Sequence, residues 1–291
     1  DTIALILSMS MISVSAEETL LIAPAPSAPE GTAITSAAEF AAMDPAGTYY
    51  LANDITIAEP YATAFTGTID GNGKTVTISV PMFVDFGGKI KNLTIEGSVT
   101  SLAKDAELPA LAENGARGAI ACISTCGTEV VFENIVNNAA ISAIGSLASD
   151  DCAGGILGKF ENEAGSVKFI NCVNNVTVYG TQKAQHVAGF IGGVEAKAQL
   201  YFENCVNNGD ITGTSGNYTG ISGFVGCLSP VSSSTTTFTN CRNNGNLTEL
   251  DPNGGTSKDG YLGGFVGRNY GSPKITAENC VNAGEIAALT G

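Results

Sequence analysis

The residues able to do chemistry are few. The chain has one histidine, His186, which excludes a His-Glu-x-x-His zinc site because that site needs two. A Ser-His-Asp arrangement would have to use His186, and no Gly-x-Ser-x-Gly elbow accompanies it. Its setting before Val187-Ala188-Gly189 reads as a solvated loop. Asp70-Gly-Asn-Gly-Lys74 opens like a calcium loop, but Pro81 stands where the closing Glu belongs, so an Asn-Gly turn explains it better. The only arginines, Arg117, Arg242 and Arg268, lie away from any carboxylate cluster. No metal, cofactor or catalytic set is therefore expected. Tyr218, Tyr261 and Tyr270 sit in inter-repeat segments and are the candidates for contact with a sugar or protein ligand.

Repeats organise the chain. One decapeptide recurs from Phe132, Phe169, Phe202, Phe238 and Ala277, with a degenerate copy from Ile90; its core is Phe-x-Asn-Cys-Val-Asn-Asn. The starts are 42, 37, 33, 36 and 39 residues apart. Between copies lies a Gly-bounded apolar element: Gly155-Ile-Leu-Gly158, Gly189-Phe-Ile-Gly192, Gly223-Phe-Val-Gly226 and Gly264-Phe-Val-Gly267. The apolar runs are short, β-branched or aromatic, and flanked by Gly and Asn, which is strand-and-turn chemistry. Such a unit cannot bury its own apolar face. Stacked on like units at about 4.8 Å, it can. The expected fold is all-β: a right-handed parallel β-solenoid of about six to seven coils.

Two columns follow from the phase of the repeat. Asn92, Asn134, Asn171, Asn204, Asn240 and Asn279 hold one position, where stacked amides can bond along the axis and Asn tolerates a left-handed bend. Asn208-Gly209 and Asn244-Gly245 fit a second tight bend. Cys172, Cys205, Cys241 and Cys280 share a position that Ile135 and Leu93 fill in earlier copies. A slot that accepts Ile and Leu is apolar, so a column of buried thiols is expected. At coil spacing their Cα atoms would also suit disulfides, and that alternative stays open.

The alternating Gly-Phe-Val-Gly and Asn-Cys segments resemble the GLUG motif repeats of bacterial surface proteins over roughly 87–291. Those repeats carry Gly-Leu-x-Gly; here Ile156, Phe190, Phe224 and Phe265 replace the Leu. The resemblance implies a pectate-lyase-like right-handed β-helix in a secreted or wall-associated protein, often an adhesin or the non-catalytic part of a larger one. Many polysaccharide-degrading enzymes share that fold. Asp150-Asp151-Cys152 resembles the Asp-Asp-Cys of polygalacturonases, but their Asn-Thr-Asp, Gly-His-Gly and Arg-Ile-Lys elements are absent here. A loop explains it better.

Lys+Arg is 13 against Asp+Glu 28, a formal net charge of −15. That field repels a phosphate backbone, so no nucleic-acid partner is expected. An anionic membrane surface is disfavoured likewise. Ile3–Val14 is an apolar run ending in Val14-Ser15-Ala16, as in a truncated signal peptide over 1–16. The run is too short to span a bilayer. Pro24, Pro26 and Pro29 make 17–33 a linker, and 34–291 the β-helix domain: cap and opening coils over 34–86, then repeats over 87–291 that continue beyond the chain end. Ser36-Ala-Ala-Glu39 is a capping-box pattern and predicts a helix over 36–43 covering the end of the core. The function expected is a non-catalytic secreted or surface scaffold, an adhesin or stalk, with a host glycan or protein as partner and no membrane insertion. Further domains of one longer protein are among the expected partners. The alternative is a carbohydrate-active enzyme on the same fold.

Overall fold

The computed structural model describes residues 28–101, 116–143, 151–162, 165–180, 184–214, 219–229, 234–251, 260–271 and 273–290. Strand is the main regular structure among them, with one short helix, and every strand pairing among them is parallel. The strands form three sheets of nineteen, four and six strands. Strands of one repeat pair with the equivalent strands of the repeats before and after. Phe132, Phe169, Phe202, Phe238 and Ala277 are consecutive partners in the first sheet. Ala153, Val187, Ile221 and Leu262 are partners in the second. Leu157, Ile191, Val225 and Val266 are partners in the third. Each repeat is thus one rung lying on the last, an arrangement consistent with a parallel β-solenoid.

Side chains alternate along each strand, so one face points into a shared interior. Phe132, Phe169, Phe202 and Phe238 stack in that interior with centroids 4.8, 4.9 and 4.9 Å apart. Phe190, Phe224 and Phe265 form a second column, 4.7 and 5.0 Å apart. The columns meet edge to face: Phe190 lies 5.8 Å from Phe202 at 85°, and Phe224 5.6 Å from Phe202 at 89°. Stacking along the axis and T-contacts across it both suit the aromatic quadrupole.

The Gly-bounded elements carry Phe190 and Phe224 inward at the bend joining the second and third sheets. Their first glycines face the buried amides of their own rungs: a β-carbon on Gly223 would lie 2.5 Å from the Asn243 side chain. The chain bends at Gly209 and Gly245 as expected, though not through a left-handed turn. Their φ angles are not positive; a β-carbon on either would strike the carbonyl of the rung below. Close approach, not a left-handed turn, demands glycine there. Asn72-Gly73 is a true left-handed turn, with φ of 51° and 69° and Lys74 N donating to Gly71 O at 2.8 Å.

The first strand, Thr32–Ile34, pairs with Tyr49–Leu51, so Thr32 and Ala33 belong to the sheet and not to a linker. A helix, Ala37–Ala41, follows Ser36, whose Oγ accepts from Glu39 N at 3.3 Å. It is shorter than the 36–43 expected, and the Glu39 carboxylate accepts from Thr35 N–H at 2.6 Å, one residue before the cap. Phe40 is buried against Phe83 and Tyr61 at 5.2 and 6.2 Å, and Met43 is buried beside it. At the other end, Ile275, Val281, Ile286 and Leu289 are exposed. Among the described residues, no helix is long and apolar enough to cross a membrane.

Candidate ligand-binding groove and outer face

Asparagine ladders hold the rungs in phase. Asn92, Asn134, Asn171, Asn204, Asn240 and Asn279 all have φ between 52° and 56°. Each amide donates to the Oδ1 of the rung below: Asn134 to Asn92 at 2.8 Å, Asn171 to Asn134, Asn204 to Asn171 and Asn240 to Asn204 at 3.1 Å, and Asn279 to Asn240 at 3.3 Å. At the bottom Asn92 donates to Asp70 Oδ1 at 3.0 Å. A second ladder, missed in the sequence, runs inside the molecule. Asn137, Asn174, Asn207 and Asn243 have no exposed surface, and each donates to the Oδ1 above at 2.7–2.8 Å. Each of Asn174, Asn207 and Asn243 also donates to the carbonyl two residues on. The signal was available, because this position repeats as regularly as the first.

Cys172, Cys205 and Cys241 are buried and Cys280 is half-buried; all four are free thiols. Burial, and then the neighbouring Cys172 thiol, hold Cys205 above its ordinary titration range against an opposing pull from Cys241, and the Cys205 thiol followed by burial does so for Cys241. Burial also pushes Cys227 up to about 12, against the opposing pull of Arg268. Thiols held protonated at neutral pH are poor nucleophiles.

The chemistry-bearing residues fall in separate places. Tyr218 and most of the inter-repeat loops lie outside the described residues, as does Asp150. Tyr261 and Tyr270 come together, flanking the Arg268 guanidinium at 5.6 and 4.7 Å from their ring centres, with 39% and 54% of their surface exposed. His186 is not a solvated loop residue. Pairing draws it into the strand Ala184–Ala188, where it is buried and its Nδ1 accepts from Gly220 N–H at 3.2 Å. Lys159 lies near the carboxylates of Glu161 at 2.7 Å and Glu195 at 3.0 Å. Burial alone would lower its titration point, but these two bonds outweigh it and hold the ammonium above its ordinary range. Among the described residues no group of three or more His, Cys, Asp or Glu could hold a metal.

A groove of about 670 Å³ lies over the first rungs. Ala28, Pro29 and Glu30 make one wall; Thr48, Thr68, Asp70, Asn72, Lys91 and Asn92 line the rest. Thr48 and Thr68 are partners on adjacent strands, and Asp70 pairs with Lys91 on the next. The polar side chains are already locked. Asp70 Oδ1 accepts from Asn72 N at 2.8 Å and from Asn92, and its Oδ2 lies 3.3 Å from Lys91 Nζ. Asn72 Nδ2 donates to Leu51 O at 3.1 Å. Burial would raise the Asp70 titration point, but the bonds from Asn92, Asn72 and Lys91 win and hold it below the usual carboxylate range. The groove therefore offers fixed donors and acceptors with the lysine charge neutralised. It opens onto the outer face of the first sheet, where Lys168 stands 6.0 Å over the Tyr201 ring and pairs with Glu129, which also binds Lys89 at 2.8 Å.

No family model and no curated protein matches the chain. By structure the chain is similar to a Bacteroides ovatus protein described as "a putative immunoglobulin A1 protease", at a TM-score of 0.60 and 18% identity, over 91% of this chain and 80% of that one. At that identity the likeness is one of fold alone.

Proposed function

We propose that the protein is an exported, non-catalytic right-handed β-helix with GLUG-type repeats, serving as an adhesin, stalk or binding scaffold at or beyond the cell surface. Its ligand is a carbohydrate chain without charge, held in the groove beside Asp70 and Lys91. One observation carries this reading: the groove's Asp70, Asn72 and Asn92 are fixed by bonds within and between neighbouring rungs, so little ordering cost remains when hydroxyl groups arrive. Asp70 neutralises Lys91, Glu30 adds a negative charge, and the chain as a whole is acidic. Anionic glycans are disfavoured accordingly.

A glycan array tests it. Neutral glycans should bind, and Thr48→Trp, which fills the groove from an exposed position, should remove at least tenfold of the affinity with unchanged melting. Binding that survives Thr48→Trp moves the site elsewhere, and Tyr261, Arg268 and Tyr270 are then the surface to test.

An enzyme on the same fold is the second reading. It is favoured by the convergence of Glu161 and Glu195 on Lys159 and by the protease description of the structural neighbour. Product released from a polysaccharide or from immunoglobulin A1, and lost in Glu195→Gln, would establish it. An absence of product in both assays supports the scaffold.

A further inference from the structure

Cys172, Cys205, Cys241 and Cys280 stand one per rung, directly after the left-handed asparagine. Pairing is in register on both sides of them: Phe169, Phe202, Phe238 and Ala277 before, and Val173, Val206, Arg242 and Val281 after. Their Cα atoms therefore repeat at the strand spacing of about 4.8 Å, inside the range a disulfide spans. The sulfurs point the same way. Cys172, Cys205 and Cys241 each approach a carbonyl of the rung below at 3.2–3.4 Å. Ile135 and Leu93 continue the column below, so it begins at Cys172.

We propose that this column is a redox-convertible staple that closes as two disulfides, Cys172–Cys205 and Cys241–Cys280, each tying two successive rungs. A row of four has one complete pairing between neighbours, because a Cys205–Cys241 bridge strands the outer two. The oxidant is a low-molecular-weight disulfide such as oxidised glutathione. One cysteine thiolate attacks it, forming a mixed disulfide and releasing one glutathione thiol. The neighbouring cysteine thiolate then attacks the protein sulfur, and the second glutathione thiol leaves. Each bridge thus gives up two protons and two electrons, which end on two glutathione thiols. Stacked parallel strands hold the β-carbons near the strand spacing, wider than the roughly 3.8 Å usual in a disulfide. Closure draws two rungs together, and the bridges are accordingly easier to reduce than relaxed ones. The buried thiols react slowly in the folded chain, so folding is the stage at which the bridges form.

The full chain, refolded in a buffer of reduced and oxidised glutathione, should show two linked peptide pairs by non-reducing mass spectrometry. The thiol count after denaturation should fall from eight to four. Cys205→Val, a change the column's own Ile and Leu make tolerable, should leave Cys172 free and the Cys241–Cys280 bridge intact. Eight free thiols in the folded protein, or bridges to Cys122, Cys126, Cys152 or Cys227, would overturn the proposal. Should refolding fail, the purified native chain is held with excess oxidised glutathione and mapped over days, with the same two readings.

Discussion

The Asn174 side-chain amide donates to Asn207 Oδ1 at 2.8 Å in a place where neither residue has any exposed surface. Asn207 passes the bond on to Asn243 at 2.7 Å and also donates to Gly209 O at 2.8 Å. Deleting one amide therefore orphans groups on both sides. Asn207→Leu should cost about 3–9 kcal/mol, from three buried groups, on Asn174, Asn243 and Gly209, at about 1–3 kcal/mol each. The outer ladder behaves differently. Asn204 sits at φ 53°, so Asn204→Val adds left-handed strain of about 1–2 kcal/mol and Asn204→Gly does not. Urea melts of the three variants check both statements. Equal losses for Val and Gly at 204 would show that the bend is not what Asn supplies.

Phe202 contacts Phe169, Phe238, Phe190 and Phe224 at 4.9, 4.9, 5.8 and 5.6 Å. No smaller side chain fills that space. Phe202→Ala should cost about 3–5 kcal/mol. A measured loss below about 1 kcal/mol would put the ring outside the core and contradict the strand phase.

Gly193 lies in the third sheet, where an added β-carbon would lie 2.6 Å from Cys152 Sγ of the second sheet but 3.7 Å from Cys152 Cβ. Gly193→Ala should destabilise, and Cys152→Ala should restore the double variant, since only the sulfur is in the way. At Gly209 the obstacle is the backbone carbonyl of Val176, so Gly209→Ala should find no such rescue. Thermal melts of the four proteins separate the two cases. A double variant no better than Gly193→Ala alone would refute the steric account.

Glu129 is bonded by Lys168 and Lys89, which together bring its titration point from 4.5 down to about 2. A depressed carboxyl stabilises the fold above its unfolded value and stops doing so as pH falls through its folded value. Glu129 should therefore support stability fully above about pH 4.5 and lose that support between there and about pH 2. Because the pair is partly exposed, the effect should shrink in high salt. Melting curves of Glu129→Gln against the parent should diverge at pH 6 and converge near pH 2. A constant gap across that range would rule the ion pairs out as the cause.

Much of the architecture was legible because a stack repeats its constraints. Asn171, Asn204 and Asn240 hold one phase since each bends the chain at the same φ and bonds the next. Phe169, Phe202 and Phe238 recur since each fills the same slice of interior. The candidate site was far less legible. Tyr261 and Tyr270 are each visible as candidates, but Arg268 between them carries no signal, because nothing in the repeat ties Tyr261, which opens one strand and is not a loop residue, and Tyr270, just past the end of another, to Arg268. The groove draws on Thr48, Asp70 and Lys91 from three opening strands that share no motif with one another.

The sequence by itself determined the period, the strand character, the inward phenylalanines and the column of cysteines, because those properties repeat along the chain and a period is visible without distances. Only the tertiary structure decided that His186 is buried, that a second asparagine ladder runs inside, and that Asp70 locks a groove. Each of these depends on what one rung meets when it lies against another, and that meeting is a matter of packing across tens of residues, which no local pattern records.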